Sequence, residues 1–530
     1  MLRKAITDHY SVSEQISLDD VDTLAKSGVT LIICNRPDNE EEGQLNFAKV
    51  AEQAKANHIS AIHIPFSGGQ MQPEDVGAFK QALKGTLNVH AYCRTGNRST
   101  QIWQASQEPT IQPQAAASAS PSPQYDVVIV GAGSAGLATA ASLLKRQSNI
   151  KLCLIDPANS HYYQPGWTLV GGGVFKAAKT HRKMAHVIPR NSTWIQQSVS
   201  TFLPNENKLV LDNGQQVSYR FLVVAAGIKL NWEAIEGLSE TLGKNGVTSN
   251  YRYDLAPYTW ELVKNLKNGN AVFTQPPMPI KCAGAPQKAM YLSCDHWLKN
   301  GSHKNIKTSF YNAGGVIFGV PAYVPALESY LKKYQVNTQY SHNLVKVDGP
   351  NKRAYFAAKD KNGEPTIIET QFDMLHVCPP QCAPDFIRNS PLADEAGWVE
   401  VDKETLQHTR FSNIWSLGDV SNTPNAKTMA AARKQAPVVA QNIADALQNR
   451  PIKAIYDGYG SCPLTVERGK IVLAEFGYGG KLLPTFPKWI NDGTKPTYFA
   501  WLLKEEILPP FYWHGMLKGY EWFVKPEVKE

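Results

Sequence analysis

The sequence contains no uninterrupted apolar run near the roughly 18 residues that a membrane-crossing helix requires, so a membrane span is not expected. It has no stretch dense in Lys and Arg, and its formal net charge of +8 is spread thinly over 530 residues. That distribution excludes the concentrated basic surface of a nucleic-acid binder. Cysteine is scarce, at eight residues, which rules out a disulfide scaffold and leaves a few thiols for reactive roles. Charged residues make up only 19%, against 43% hydrophobic, a balance too apolar for general disorder. The opening Met1-Leu2-Arg3-Lys4-Ala5-Ile6-Thr7-Asp8 lacks the apolar core of a secretory signal. A cytosol-facing chain of two or three domains is the simplest expectation.

The segment 107–124, QEPTIQPQAAASASPSPQ, holds one charge and one large aliphatic residue. It cannot bury enough surface to offset its ordering entropy and is predicted to be a flexible linker. It separates a body at 1–106 from one at 125–530. In the first body, helical patterns at 18–28, 47–58 and 73–84 alternate with apolar strand patterns at 29–35, 59–66 and 87–93. Such alternation predicts a small parallel sheet with helices on its faces. The second body opens with YDVVIVGAGSAGLATAASLLKR (125–146): strand, glycine turn, helix. Strand patterns at 151–157, 221–227, 271–275, 307–312 and 414–419, with a helix at 426–447, extend it to an α/β region of two Rossmann-type halves.

The glycine turn carries specific physics. Gly131 permits the tight turn, Gly133 lets backbone approach a pyrophosphate, and Gly136 lets helix and strand pack closely. The helix N-terminus then offers unpaired N–H groups to phosphate. Asp156, 25 residues after Gly131, closes the next strand pattern, where a ribose hydroxyl needs an acceptor. The strand 221–227 ends in small residues at Gly227, and the strand 414–419 ends in Gly418-Asp419 before a helix. An acidic residue there suits the ribityl and phosphate region of FAD, although Asp419 alone reads equally well as a helix cap. A nicotinamide cofactor would need a second fingerprint after the strand 307–312. The chain there reads Ala313-Gly314-Gly315-Val316-Ile317-Phe318-Gly319, with the wrong glycine spacing. The electron donor must come from elsewhere.

Two cysteines suggest it. Cys282 lies in a small-residue turn flanked by Lys281 and Lys288, whose charge favours thiolate, and Cys462 lies in the glycine-rich YDGYGSCPL (456–464). Either alone reads also as a small buried hydrophobe. Cys153 and Cys294, on a strand and a helix, read as packing residues. Cys378 and Cys382 form a Cys-x3-Cys without a second ligand pair, so no metal is expected.

Residues 125–530 resemble the sulfide:quinone oxidoreductases of mitochondria and some bacteria. The likeness is carried by VGAGSAG, HYYQPGWTLVGGG (161–173), SYRFLVVAAGI (218–228), IKCAGAPQKAMYLS (280–293), IFGVPAY (317–323), ETLQHTRFSNIWSLGD (404–419), YDGYGSCPL and LAEFGYGG (473–480). The resemblance implies non-covalent FAD and a redox-active disulfide between Cys282 and Cys462 beside the flavin, with Lys288 tuning the thiolate. It implies Ser134, Ala135, Asp156, Gln164, Val199, Asp419 and Lys427 around FAD. Lys504 is expected near the quinone. The sequence departs from close relatives at Cys378 and Cys382, and at Val420, where they carry a cysteine.

The tail PTYFAWLLKEEILPPFYWHGMLKGYEWFV (496–524) is dense in aromatics and Leu with interspersed Lys. It reads as two short amphipathic helices split by Pro509-Pro510 and lying in a bilayer interface, or as a helix packed on the core.

The first body carries Cys93-Arg94-Thr95-Gly96-Asn97-Arg98 after a strand, a loop whose backbone N–H groups and Arg98 surround an anion. With ICNRPDNEEEGQ (33–44) and HIPFSGGQMQPEDV (63–76), residues 1–106 resemble the tyrosine-phosphatase-like domain called beta-lactamase-hydrolase-like. True tyrosine phosphatases place five residues between Cys and Arg; here there are four, the pattern of a rhodanese loop. Tyr92 also replaces the histidine that precedes the phosphatase cysteine. The loop favours sulfur transfer, with phosphatase activity and an inert relic as the alternatives.

The resulting expectation is an α/β flavoenzyme peripheral to the cytoplasmic face of the inner membrane. It oxidises hydrogen sulfide, passes electrons to a quinone of the ubiquinone class, and gives sulfane sulfur to sulfite or glutathione. The alternatives are a type II NADH:quinone dehydrogenase and a redox-sensing scaffold with a phosphatase-like domain.

Overall fold

The computed structural model describes residues 3–41, 43–67, 71–85, 88–107 and 124–529. The predicted linker falls, for 108–123, outside the described residues. The chain forms two compact units: Met1–Pro123 with Ser200–Val217 and Asp385–Glu400, and Gln124–Val199 with Ser218–Pro384 and Val401–Glu530.

In the N-terminal body, β1 (Lys4–Thr7), β2 (Tyr10–Ser13), β3 (Leu31–Cys34), β4 (Ser60–His63) and β5 (Val89–Tyr92) make one sheet in the order β1-β2-β5-β3-β4. Helices α1 (Leu18–Lys26), α2 (Phe47–Ala56), α3 (Pro73–Leu83) and α4 (Asn97–Gln107) accompany it. The three strands read from the sequence are parallel neighbours. The sheet is not wholly parallel as expected, because β1 pairs antiparallel with β2 and closes one edge. These two strands are four residues each, too short for a clear alternation signal. Ser17 caps α1 in a reciprocal capping box with Asp20.

The second unit begins with β6 (Gln124–Val130), α5 (Ser134–Arg146) and β7 (Leu152–Ile155). A parallel sheet runs Ser192–Ile195, β7, β6, Gln216–Val224, Ile414–Ser416. Between its strands the chain builds a second parallel sheet, Val247–Thr248, Met374–His376, Gly269–Gln275, Ile306–Asn312, Asn337–Tyr340. Two Rossmann-type halves are therefore present. The helix Met429–Leu447 is capped by Thr428, whose hydroxyl accepts from Ala431 N at 3.1 Å. Asp419 is thus not the cap; it lies in the short turn Gly418–Val420. Cys153 and Cys294 are fully buried, and burial pushes each thiol up to about 12, as packing residues.

The tail differs from the predicted pair of helices. Tyr498–Lys518 is one helical run in which Leu503–Ile507 and Phe511–Gly515 widen to π geometry on either side of Leu508–Pro510. Proline breaks an α-helix because it lacks an N–H and its ring meets the carbonyl four residues back. Wider turns beside Pro509 and Pro510 relieve both demands. The inner face joins the core through Tyr512, Trp513, Met516 and Leu517. Among the described residues no helix is long and apolar enough to cross a membrane.

Candidate active site

A cavity of about 630 Å³ starts at the glycine turn after β6. Each glycine there has its own reason. A Cβ on Gly131 would stand 2.4 Å from the Ala225 carbonyl oxygen, and one on Gly136 would stand 1.9 Å from the Gly131 oxygen. Only glycine lets the strands and α5 approach this closely. At Gly133 nothing lies within 4 Å of the position of a Cβ, and the residue faces the cavity at the N-terminus of a 13-residue helix. That vacancy beside unpaired helix N–H groups fits the pyrophosphate of a dinucleotide. Asp156 is held by the turn: its carboxylate accepts from Ala132 N at 2.6 Å and from Ala158 N at 2.8 Å. A carboxylate has about four acceptor sites, so capacity remains for a ribose hydroxyl.

Ser134, Ala135, Asp156, Gln164, Gly227, Asp419 and Lys427 all line this cavity, as do Cys282, Lys288 and Lys504. Gly136 lies behind the wall as a packing residue. Val199 begins the strand Val199–Leu203, is buried, and does not line the cavity. Gln164 Oε1 accepts from Lys281 Nζ at 2.6 Å. Lys427 Nζ donates to the Asp419 and Ser421 carbonyls at 2.8 and 2.7 Å. Burial raises the Asp419 carboxyl above its usual range, against the pull of Lys427 and Lys281.

Further in, Cys282 Sγ and Cys462 Sγ stand 3.4 Å apart, 180 residues distant in sequence. Both are free thiols. Cys462 sits on the strand Gly460–Glu467 and is buried; Cys282, in a left-handed backbone conformation with φ +50°, faces the cavity. Its N–H donates to the Lys427 carbonyl at 2.8 Å, which fixes the loop. Gly284 makes the approach possible: a Cβ there would meet Leu464 Cδ2 at 2.3 Å and Cys462 Sγ at 2.5 Å. Lys288 Nζ lies 3.1 Å from Cys282 Sγ. The pair shares its protons unequally. The hydrogen bond from Cys462 and the Lys288 charge hold the Cys282 thiol well below the usual range, while the same hydrogen bond and burial hold Cys462 above it. Lys288 is held cationic despite burial by the neighbouring sulfurs. Lys504 Nζ donates to Thr465 Oγ1 at 3.0 Å, and burial together with the charge of Lys288 depresses its pKa strongly. Around it the wall turns apolar, with Phe486, Phe499, Leu503, Ile507, Leu508 and Phe511.

Sequence reasoning missed Tyr251, whose hydroxyl donates to the Lys281 and Cys282 carbonyls at 3.2 and 3.4 Å. It also missed Tyr512 and His161, which hydrogen-bond near the glycine turn. His161 stands inside a motif noted above, but nothing in the sequence pairs it with Tyr512. Cys378 is buried beside Tyr251, and burial pushes its thiol up to about 12. Cys382 lies on the two-residue strand Gln381–Cys382.

The loop 313–319 does not open a helix. Asn312 Oδ1 accepts from Gly314 N at 2.8 Å and its Nδ2 donates to the Val316 carbonyl at 2.9 Å, closing the strand end; the next helix starts at Val324.

In the N-terminal body, β5 delivers Cys93, which is buried, to the loop before α4, and Arg98 stands in the first turn of that helix. Its guanidinium donates to both oxygens of Glu40 at 2.8 and 2.7 Å and to the Phe66 carbonyl at 2.9 Å. Arg36 Nε donates to the same carboxylate at 2.8 Å. Glu40 thus fixes the Arg98 side chain, a role its position in ICNRPDNEEEGQ did not reveal.

Residues 2–110 match the family model described as beta-lactamase hydrolase-like protein, phosphatase-like domain, and residues 125–263 match pyridine nucleotide-disulphide oxidoreductase. The chain is 43% identical to the mitochondrial sulfide:quinone oxidoreductase of Dictyostelium discoideum, over 75% of this chain and 87% of that protein. It is 41% identical to the Mus musculus protein of the same name, with the same coverage. The solved structure of the sulfide:quinone oxidoreductase of Aquifex aeolicus superposes with a TM-score of 0.63 at 19% identity, covering 76% of this chain and 97% of that one, a likeness of fold. A glycine turn that fits a dinucleotide, Cys282 on its cavity with Cys462 buried 3.4 Å from it, and relatives matched over most of their length agree: the chain is an FAD-dependent oxidoreductase and belongs to the sulfide:quinone oxidoreductase family.

Proposed function

We propose that the second unit oxidises hydrogen sulfide through a disulfide formed by Cys282 and Cys462 and delivers two electrons, by way of FAD, to a quinone of the ubiquinone class. The observation that carries this reading is the 3.4 Å approach of the two sulfurs with Lys288 at 3.1 Å. Hydrosulfide attacks Cys462 Sγ, the S–S bond breaks, and Cys282 leaves as a thiolate facing the cavity. The asymmetry of the pair favours this direction, since the better leaving group is the thiol with the lower pKa. Sulfite or a thiol such as glutathione then takes the sulfane sulfur from Cys462, and the dithiol returns to disulfide as two electrons leave. FAD, when bound, accepts that electron pair. Gln164, Asp419 and Lys427 orient the flavin, and Lys504 with the apolar wall receives the quinone. The exposed Trp489, Tyr498, Ile507, Trp522 and Phe523 suit peripheral attachment to a membrane surface, at the cytoplasmic face of the inner membrane. A spectral titration tests the reading: sulfide bleaches the flavin, NADH does not, and Cys282→Ser or Cys462→Ser keeps FAD but loses sulfide-dependent quinone reduction. Bleaching by NADH would favour the dehydrogenase instead; substantial activity in either serine variant removes that cysteine.

For the N-terminal body we infer a sulfurtransferase. The four-residue loop between Cys93 and Arg98, with Arg98 fixed by Glu40, suits a persulfide more than a phosphate ester. Cys93→Ser abolishes transfer from thiosulfate without slowing flavin bleaching by sulfide. Efficient aryl-phosphate hydrolysis without sulfur transfer overturns this assignment.

A further inference from the structure

The C-terminal segment does more than cover the cavity. Tyr512, fully buried, hydrogen-bonds to two groups at once: its hydroxyl lies 2.7 Å from Ser134 Oγ and 2.5 Å from His161 Nε2. The other ring nitrogen, His161 Nδ1, lies 3.2 Å from the Ala132 carbonyl oxygen. A carbonyl only accepts, so Nδ1 carries the proton. Burial lowers the His161 pKa to about 4, so the ring is neutral and Nε2 accepts. Tyr512 therefore donates to His161, and Ser134 donates to Tyr512. One polarised chain runs from Ser134 through Tyr512 and His161 back to Ala132, and encloses the turn that holds Gly133. The rings add to it, with Trp513 edge-on to His161 and Arg182 over Trp513 at 4.8 Å.

The other end of α5 is held by the same segment. Ser142 Oγ donates to Glu521 Oε1 at 2.5 Å, and Arg146 Nη2 donates to Glu521 Oε2 at 2.9 Å. Lys145 Nζ stands 3.2 Å from the Tyr520 ring centroid. Gly519, at φ +69°, lies so close that a Cβ would stand 2.6 Å from the Ala141 carbonyl oxygen. Residues 512 to 521 thus grip the nucleotide-binding helix at its first turn and its last, while their neighbours Leu508 and Phe511 line the cavity.

We propose that the C-terminal segment clamps α5 at both ends, with Tyr512 and His161 as positioning residues for the phosphate turn, so that FAD binding and docking of the segment stabilise one another. The inference rests on FAD occupying the cavity. Linkage makes the effect reciprocal: if the docked segment raises FAD affinity, bound FAD raises the stability of docking by the same factor. Whatever occupies the apolar wall formed by that segment is then coupled to flavin retention as well.

Hydrogen exchange of residues 508–521 in the full chain, with FAD removed and restored, tests the first half. Restored FAD slows exchange there. FAD titration of the apo chain tests the second: Tyr512→Phe, which keeps the ring and deletes the hydroxyl, raises the FAD dissociation constant about ten-fold, on the order of one lost buried hydrogen bond. The double variant Ser134→Ala with Tyr512→Phe loses less than the sum of the two single variants, because both remove the Ser134–Tyr512 bond. Additive losses, wild-type affinity in Tyr512→Phe, or exchange at 508–521 indifferent to FAD refutes the clamp. Should Tyr512→Phe fail to fold, the exchange measurement on the unaltered chain decides by itself. A chain that takes up no FAD refutes the cofactor assignment and the clamp together.

Discussion

Replacing Lys288 by methionine removes a cation 3.1 Å from Cys282 Sγ while keeping an unbranched side chain of similar length. An opposite charge at this distance lowers a pKa by about 1–3 units. Cys282 loses that support, and Lys288 is buried, so solvent cannot replace it. In the proposed reaction hydrosulfide opens the disulfide at Cys462 and Cys282 is the leaving group. Even at a sensitivity no greater than the about 0.4–0.5 that governs an attacking thiol, a rise of 1–3 units slows opening about 3- to 30-fold. Because the depressed pKa returns toward its ordinary value, the thiolate is also lost to the thiol at a higher pH than before. The assay is stopped-flow bleaching of the flavin by sulfide across a pH series, which separates this step from quinone reoxidation. Lys288→Met should show a lower rate at neutral pH and recover part of it as pH rises. A profile superimposable on the unaltered enzyme refutes the assignment of Lys288 as the group that stabilises the thiolate.

Gly284→Ala forces a methyl into contact with Leu464 and Cys462, so the sulfurs must part; calorimetry should record a loss of about 1–3 kcal/mol, and disulfide formation should fall. Truncation before residue 496 removes Tyr512, Trp513, Met516 and Leu517 from the core, so it should yield aggregated or flavin-free protein rather than a soluble flavoprotein merely released from membranes. Substituting the exposed Trp522 and Phe523 by serine should instead weaken binding to anionic vesicles and leave the flavin spectrum intact. In the N-terminal body, hydrogen bonds from Arg98 and Arg36 outweigh burial and hold Glu40 below its ordinary 4.5. A depressed carboxyl stabilises above its unfolded pKa, so this contribution should be lost as pH falls below the ordinary 4.5 and through the lowered folded value. An acid unfolding curve that Glu40→Gln leaves unchanged contradicts it.

The sequence by itself determined the nucleotide half almost completely. Its signals are local: a strand, three glycines of which Gly131 and Gly136 have a steric duty, and a helix opening within six residues, followed by an acidic residue at the next strand end. Local backbone demands leave few alternatives, so Gly131, Gly133, Gly136 and Asp156 were legible by spacing. Cys282 and Cys462 stood out in the sequence, one in a small-residue turn flanked by lysines and one in a glycine-rich loop, but only the folded chain puts sulfurs 180 residues apart within 3.4 Å, through the steric absence at Gly284. The tail misled for the opposite reason. Two adjacent prolines read locally as a break, yet burial of Tyr512, Trp513, Met516 and Leu517 favours a continuous run widened to π geometry. Tyr512 meets His161 and Ser134, and Glu40 meets Arg98, because distant segments pack together. No pattern within a strand or helix encodes such pairs, and tertiary packing alone decided them.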